Sequence, residues 1–138
     1  MLDYLKIVLV SVIAAVGYGI IHDIITAHVC VEYFSVAHPP IISSGPPILY
    51  ALVWGVVATW WVGLPLGMIL AYVARVGKYN ILPWNVLVRP LLILLAIMLV
   101  LAMLAGIVGY ILSLNGYNFM QRHLQEKIEV AKYHRFAF

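Results

Sequence analysis

The sequence predicts an all-α integral membrane protein with three transmembrane helices followed by a C-terminal amphipathic helix. Two observations predict this class. Hydrophobic residues make up 65% of the 138 residues and charged residues only 9%, whereas about 25% of the residues in a typical soluble domain are charged. From residue 7 to residue 74 there is no lysine or arginine, and the only carboxylates are Asp23 and Glu32. Uncharged stretches of this length are typical of segments that face lipid.

The predicted helices lie at about residues 4–30, 47–75 and 90–114, within one transmembrane domain that covers residues 1–138. The first helix is expected to be retained, because no small-residue cleavage site of a signal peptide follows its apolar run. The second helix begins sharply, since Pro46 and Pro47 suit a first helical turn. Because it is longer than a bilayer requires, it is expected to tilt, to kink at Pro65 or to protrude.

An amphipathic helix is predicted for the tail, at about residues 118–134. Its apolar residues recur at roughly helical spacing among charged ones, which is the pattern of a helix with one apolar face. They are Phe119, Leu124, Ile128 and Ala131. Such a helix is expected to lie on the membrane surface or on a partner.

The basic residues predict an orientation in the membrane. The first loop has no lysine or arginine, whereas the second loop is bracketed by Arg75, Lys78 and Arg89. Because cytoplasmic loops are enriched in these residues, we expect a multi-pass protein with the N-terminus inside and the first loop outside. The tail is then outside, although it has more basic than acidic residues.

Polar residues cluster at the far end of the first helix. On a continuing helix His22 and Thr26 share a face, and Asp23 lies about 100° round the axis from His22. The candidate polar site consists of His22, Asp23, Thr26, Glu32 and Tyr33. In one interpretation these groups have a structural role, in which they are solvated or cap helix ends. In the other they are functional, because ionisable groups at membrane depth handle protons or ions.

A transition-metal site is a further interpretation of the same stretch. Imidazole and carboxylate groups are ligands of such metals. The candidate ligands are His22, Asp23, His28, Glu32 and His38. No HxxxH or HExxH spacing places two of them on one helical face. Cys30 is the only cysteine, which excludes an internal disulfide and a CxxC metal or redox pair.

Trp60 and Trp61 lie in the middle of the second segment, away from the usual interfacial belt. They are expected either to pack between helices or to stack on a lipid, pigment or quinone-like ligand. Small residues in the second and third segments are expected to allow close helix contacts. These are Gly63, Gly67, Ala102, Gly106 and Gly109.

These patterns exclude several classes of function but do not identify one. There is no glycine-rich phosphate loop and no GxSxG motif, and the scattered basic residues do not form a nucleic-acid-binding stripe. We therefore predict a structural or accessory subunit of a membrane assembly, surrounded by the lipid bilayer and joined in a homo-oligomer or larger complex. The alternative is a metal- or proton-dependent enzyme or transporter component. The cofactor is unknown, with a transition metal or a bound pigment or quinone as the candidates.

The stretch YGIIHDIITAHVCVEYFSVAHPP, with LVWGVVATWWVGLPLGMILAYVARVG after it, resembles a group of uncharacterised bacterial multi-pass membrane proteins that share a His-Asp-Gln-x-Thr … Glu-Tyr-Phe pattern. The pattern departs at Ile24, where the group has glutamine. Similar sequences continue into a fourth hydrophobic helix after a segment like HRFAF, so the resemblance implies a fourth span. The matching residues are His22, Asp23, Thr26, Glu32, Tyr33 and Phe34.

Overall fold

The computed structural model of the chain describes residues 2–76, 81–118 and 120–138. Its helices are α1 (Leu2–Val29), α2 (Glu32–Ser35), α3 (Pro47–Arg75), α4 (Trp84–Leu114), α5 (Arg122–Gln125) and α6 (Tyr133–Phe136), with a 3-10 turn at Val130–Lys132. The helices α1, α3 and α4 are each long and apolar enough to cross a membrane. No strand occurs in the described residues. The predicted class, an all-α protein with three candidate membrane spans, is confirmed.

The third long helix begins earlier than predicted, at Trp84 instead of residue 90. Pro83 precedes it in an extended conformation, and Pro90 lies inside the second turn. A proline there removes only the hydrogen bond to the carbonyl four residues earlier, so the helix continues. In the same way α3 passes through Pro65 as one helix. Lys78 of the predicted second loop and Phe119 of the predicted tail helix lie outside the described residues.

The central contact of the fold joins α1 and α3, which run antiparallel with one row of residues on each helix facing the other. Both rows use every fourth residue, the spacing that keeps side chains on one helical face. The α1 row is Ile7, Ser11, Ala15, Gly19, Asp23 and Ala27, and the α3 row is Ala51, Gly55, Thr59, Gly63, Gly67 and Ala71. Most of these residues are buried.

The glycines in these rows let the two backbones touch. A Cβ atom added at Gly63 would lie 2.9 Å from the Cβ of Ala15, and one at Gly55 would lie 2.6 Å from the backbone nitrogen of Ile20. A Cβ at Gly67 would lie 2.8 Å from the Cβ of Ser11. Small residues are the usual means of such approach in membranes, where helix association depends on van der Waals packing.

The N-terminal end of α1 is tied to the end of α3. The guanidinium of Arg75 donates to a carboxylate oxygen of Asp3 at 3.3 Å, and the Tyr4 hydroxyl donates to the Met68 carbonyl at 3.3 Å. Ile7 packs there in a small apolar cluster with two alanines of α3. These contacts set the register of the α1–α3 pair at the end opposite the first loop.

The tail differs from the single amphipathic helix predicted at about 118–134, because it folds as α5, the 3-10 turn and α6. Extended backbone at Gln121 and Glu129 interrupts the helix. The interruptions let the tail cover the first loop, where Met120, Leu124 and Ile128 are buried against residues 36 and 37. Ala131 is exposed. The chain then turns back onto α4, where Ala137 and Phe138 lie against Gly109 and Gly106.

We predict that Gly63→Ala destabilises the protein, because the new methyl group would meet backbone and Cβ atoms of α1 that cannot move freely. Overpacking of this kind costs about 1–3 kcal/mol. Gly17→Ala is the matched control, since a Cβ at Gly17 meets nothing within 4 Å and alanine favours helix by up to about 1 kcal/mol. Unfolding of both variants in detergent, followed by circular dichroism, measures the difference. Equal stability of the two variants would contradict the proposed close contact.

Candidate functional site

The candidate polar residues lie at one end of the bundle, here called the capped end, which comprises residues 22–54 and the described part of the tail, residues 115–118 and 120–138. The end of α1, the start of α3 and the end of α4 meet there. Ala27 packs with Phe34, Tyr50 and Ala51 in a buried apolar cluster. The tail closes over this cluster, with the ring of Phe136 centred 5.8 Å from that of Tyr33.

Asp23 occupies the α1 row that faces α3, although it carries the only carboxylate of that row. Its side chain is 14% exposed, and its Oδ1 lies 3.1 Å from Nδ1 of His22, whose side chain is 33% exposed. The His22 ring stacks on Tyr18. The row brings an ionisable group into the contact between two membrane helices, where such groups are costly and are usually functional.

Thr26 does not join this pair. Its hydroxyl donates to the backbone carbonyl of His22 at 3.2 Å, which satisfies the hydroxyl within its own helix. The predicted convergence of His22, Asp23 and Thr26 therefore reduces to a histidine–aspartate pair with a neighbouring hydroxyl that is turned to the backbone.

Glu32 forms a second polar centre with a residue of the tail. Lys132 Nζ donates to Glu32 Oε1 at 2.8 Å across 100 positions of sequence, and it also lies 3.7 Å from a carboxylate oxygen of Glu129. The hydrogen bond from Lys132 lowers the pKa of Glu32, and the same hydrogen bond raises the pKa of Lys132. The pair joins the first loop to the tail.

Cys30 contacts the other oxygen of the same carboxylate, and its thiol donates to Glu32 Oε2 at 3.6 Å. Burial raises the pKa of the Cys30 thiol, with smaller raising contributions from the negative charge of Glu32 and this hydrogen bond. A buried thiol of raised pKa stays protonated at neutral pH, which disfavours both nucleophilic attack and metal binding. Cys30 therefore behaves as a packed donor to Glu32.

His38 lies within a group of aromatic rings. Its centroid is 4.6 Å from that of Tyr33 and 4.7 Å from that of Trp54, and both contacts are edge-on. Its Nδ1 lies 2.7 Å from the Tyr33 carbonyl, so this nitrogen is the one that carries hydrogen and donates. Burial, followed by the negative charge of Asp23, raises the pKa of the Tyr33 hydroxyl.

The five candidate metal ligands are distributed over four separate contacts, one of which joins His22 and Asp23. His28 is exposed and pairs with the Ile24 carbonyl through Nδ1 at 2.7 Å, while the other four are held as described above. Among the residues that the structure describes, no three histidine, cysteine, aspartate or glutamate side chains are grouped to hold a metal ion. The arrangement instead offers a histidine–aspartate pair and a lysine–glutamate pair.

The residues predicted to stack on a ligand and those predicted to pack helices together also lie in different places. Trp60 and Trp61 are 48% and 57% exposed on the surface of α3, so a ligand stacked on them would lie outside the chain, among the lipids. Gly106 and Gly109 receive the end of the tail, and Ala102 is half-buried on α4. Gly63 and Gly67 contact α1.

Sequence reasoning missed Lys132 and Trp54 as parts of the capped end. Lys132 was one of several basic residues in an amphipathic pattern, and nothing in the pattern distinguishes the lysine that reaches Glu32 from Lys127. Trp54 lies two turns into α3, a position typical of an interfacial aromatic. Only the packing of the loop against α3 brings it to His38.

We predict that Lys132→Met loosens the tail, whereas Lys127→Met, which removes an exposed charge elsewhere in the tail, does not. Amide hydrogen exchange of residues 120–136 measures the difference. We expect exchange to be faster by up to about fivefold, the range for partly exposed ion pairs. Equal exchange in the two variants would mean that the pair does not hold the tail.

The same pair predicts a pH dependence of tail docking. Because the pKa of Glu32 is lowered below its ordinary 4.5, its contribution is complete above pH 4.5 and is lost as the pH falls through the lowered value. Because the pKa of Lys132 is raised above 10.5, its contribution is complete below that pH and is lost as the pH rises further. The Lys132→Met variant should lose both transitions.

Comparison of the chain with protein-family models, with curated protein sequences and with solved structures finds no match in any of the three. The resemblance noted for residues 18–77 stays a prediction. The chemistry of the capped end therefore rests on its own contacts, namely the His22–Asp23 pair at the helix interface and the Glu32–Lys132 pair between loop and tail.

Proposed function

We propose that this small membrane protein acts as a structural or accessory subunit of a larger membrane assembly. Its three long helices can each cross a membrane. On the positive-inside rule we further propose a cytoplasmic N-terminus and a capped end on the outer side. On the resemblance of residues 18–77 to bacterial membrane proteins, we propose that the membrane is a bacterial inner membrane. The proposed partner surface lies on α4.

The packing of α4 carries the proposal. It is the most apolar of the long helices, yet only 6% of its most apolar stretch is buried within the chain, compared with 17% for each of α1 and α3. Gly106 is its only buried residue within the described part of the chain. The helix thus has one half-buried face, along Leu91, Leu95 and Leu99, and presents its other faces to the bilayer or to a neighbouring protein.

The capped end supports the same proposal. Glu32, Cys30 and Lys132 are joined to one another, so their chemistry is used to hold the tail against the loop. The tail in turn contacts α4 through the edge-on rings of Tyr110 and His134, 5.0 Å apart. This ties α4 to the α1–α3 pair at one end and leaves its outer face free for contacts with other helices.

We predict that a photo-crosslinking amino acid at Ile97, on the exposed side of α4, forms one discrete protein adduct in native membranes. The same amino acid at Leu9, exposed on α1, is the matched control and should give mainly lipid adducts. In mild detergent the wild-type chain should migrate as a complex larger than one 15.4 kDa chain. A dispersed monomer without a discrete adduct from Ile97 would contradict the subunit proposal.

A second function, proton transfer through the α1–α3 contact, is favoured by one observation. The Asp23 carboxylate is 14% exposed within the packed row and lies 3.1 Å from a histidine ring. Both groups exchange protons reversibly, and their closeness lets a proton pass between them. This candidate uses His22 and Asp23 and does not require Glu32, which is engaged by Lys132.

We predict for this second function that Asp23→Asn abolishes a proton leak into liposomes containing the purified chain, measured with an enclosed pH-sensitive dye. Glu126→Gln, which changes an exposed carboxylate of the tail, should leave the flux unchanged. A flux that is the same in both variants, or the same as in empty liposomes, would contradict it.

Elemental analysis of the same preparations distinguishes the metal alternative from the proton path. Stoichiometric metal that is lost in Asp23→Asn would favour a metal site over a proton path.

A further inference from the structure

A cavity of about 380 Å³ separates α4 from the α1–α3 pair. Its walls come from the middle of α1, between Ser11 and Tyr18, from the central turns of α3, and from the turns of α4 around Leu95. All three lining segments belong to candidate membrane spans. The cavity therefore lies at the depth of lipid hydrocarbon.

Water is a poor occupant, because the wall is almost wholly apolar. Of its three polar side chains, those of Ser11 and Thr59 are already satisfied, and only that of Tyr18 is left. The Ser11 hydroxyl donates to the Ile7 carbonyl at 2.9 Å, and the Thr59 hydroxyl donates to the Gly55 carbonyl, each within its own helix. The other lining side chains are mainly leucine and other apolar groups. A buried water needs two to four polar partners, and this wall does not supply them.

A helix from another chain is also a poor occupant, because a helix with its side chains is about 10–12 Å wide and needs more room than about 380 Å³. Tyr18 and Leu95 line this cavity and also a second apolar gap of about 430 Å³ on the opposite side. The α1–α4 contact at these two residues therefore stands between the two gaps. The cavity is a narrow space beside that contact, and its floor at Gly63 is already covered by α1.

We propose that one acyl chain of a membrane phospholipid occupies this cavity as a bound component of the protein. An empty space would deprive the surrounding leucines of dispersion contacts, and a single hydrocarbon chain restores them without needing a polar partner. The bilayer supplies such chains beside the opening. The bound acyl chain then fills the space between α4 and the α1–α3 pair and contacts both.

The test uses the full chain reconstituted in phosphatidylcholine vesicles that contain a fraction of phosphatidylcholine with a diazirine in the middle of one acyl chain. After illumination, mass spectrometry maps the labelled residues. We expect labelling at Leu91, Leu95 and Met98 to exceed labelling at Ile93 and Ile97 on the outer side of α4 severalfold. Equal labelling of the two sets would overturn the proposal.

Leu95→Trp fills the cavity and should reduce labelling of the other cavity residues severalfold, while Ile93→Trp, at an exposed position of the same helix, should not. Met98→Phe is a smaller filler for use if Leu95→Trp does not fold, as judged by helix content and dispersity in detergent. Unchanged cavity labelling in a folded filler variant would overturn the proposal. So would stoichiometric recovery of an isoprenoid quinone or pigment, instead of phospholipid, from the purified protein.

Discussion

The close approach of α1 and α3 is the contact on which the other features of the fold depend. Two rows of residues, each at every fourth position, bring glycines of one helix against backbone atoms of the other. In a membrane the lipid tails are as apolar as the helix surfaces, so the hydrophobic effect stabilises this packing little. Its strength comes from the number of atoms in van der Waals contact. Once the pair has closed, the first loop and the Asp3–Arg75 bridge lie at opposite ends.

That contact also decides the environment of the ionisable residues. Asp23 belongs to the α1 row, and in the packed structure its side chain is 14% exposed with His22 beside it. Glu32 lies beyond the end of α1 and is reached by Lys132. The two carboxylates thus have different surroundings. One lies within the long helix α1 beside a histidine, and the other joins the first loop to the tail.

The helix α4 is held differently from α1 and α3. Its glycines are covered by the end of the tail, so they do not bring another long helix into backbone contact. The apolar cavity beside Leu95 and the exposed outer face of α4 both follow from this arrangement. Binding of lipid on one side and of a protein partner on the other are compatible, because they use different faces of the same helix.

The sequence by itself determined the class of the protein, the number of long helices and the approximate bounds of α1 and α3, because uncharged stretches of that length are stable only as helices in lipid. It also drew attention to His22, Asp23 and Glu32, since ionised groups are rare in such a chain. Only the tertiary structure decided which groups meet. The pairing of Glu32 with Lys132, the separation of the candidate metal ligands and the division of the tail into short turns depend on contacts between residues far apart in sequence. The periodicity of a segment shows which residues share a helical face. Which helix or loop packs against that face depends on the fold of the whole chain.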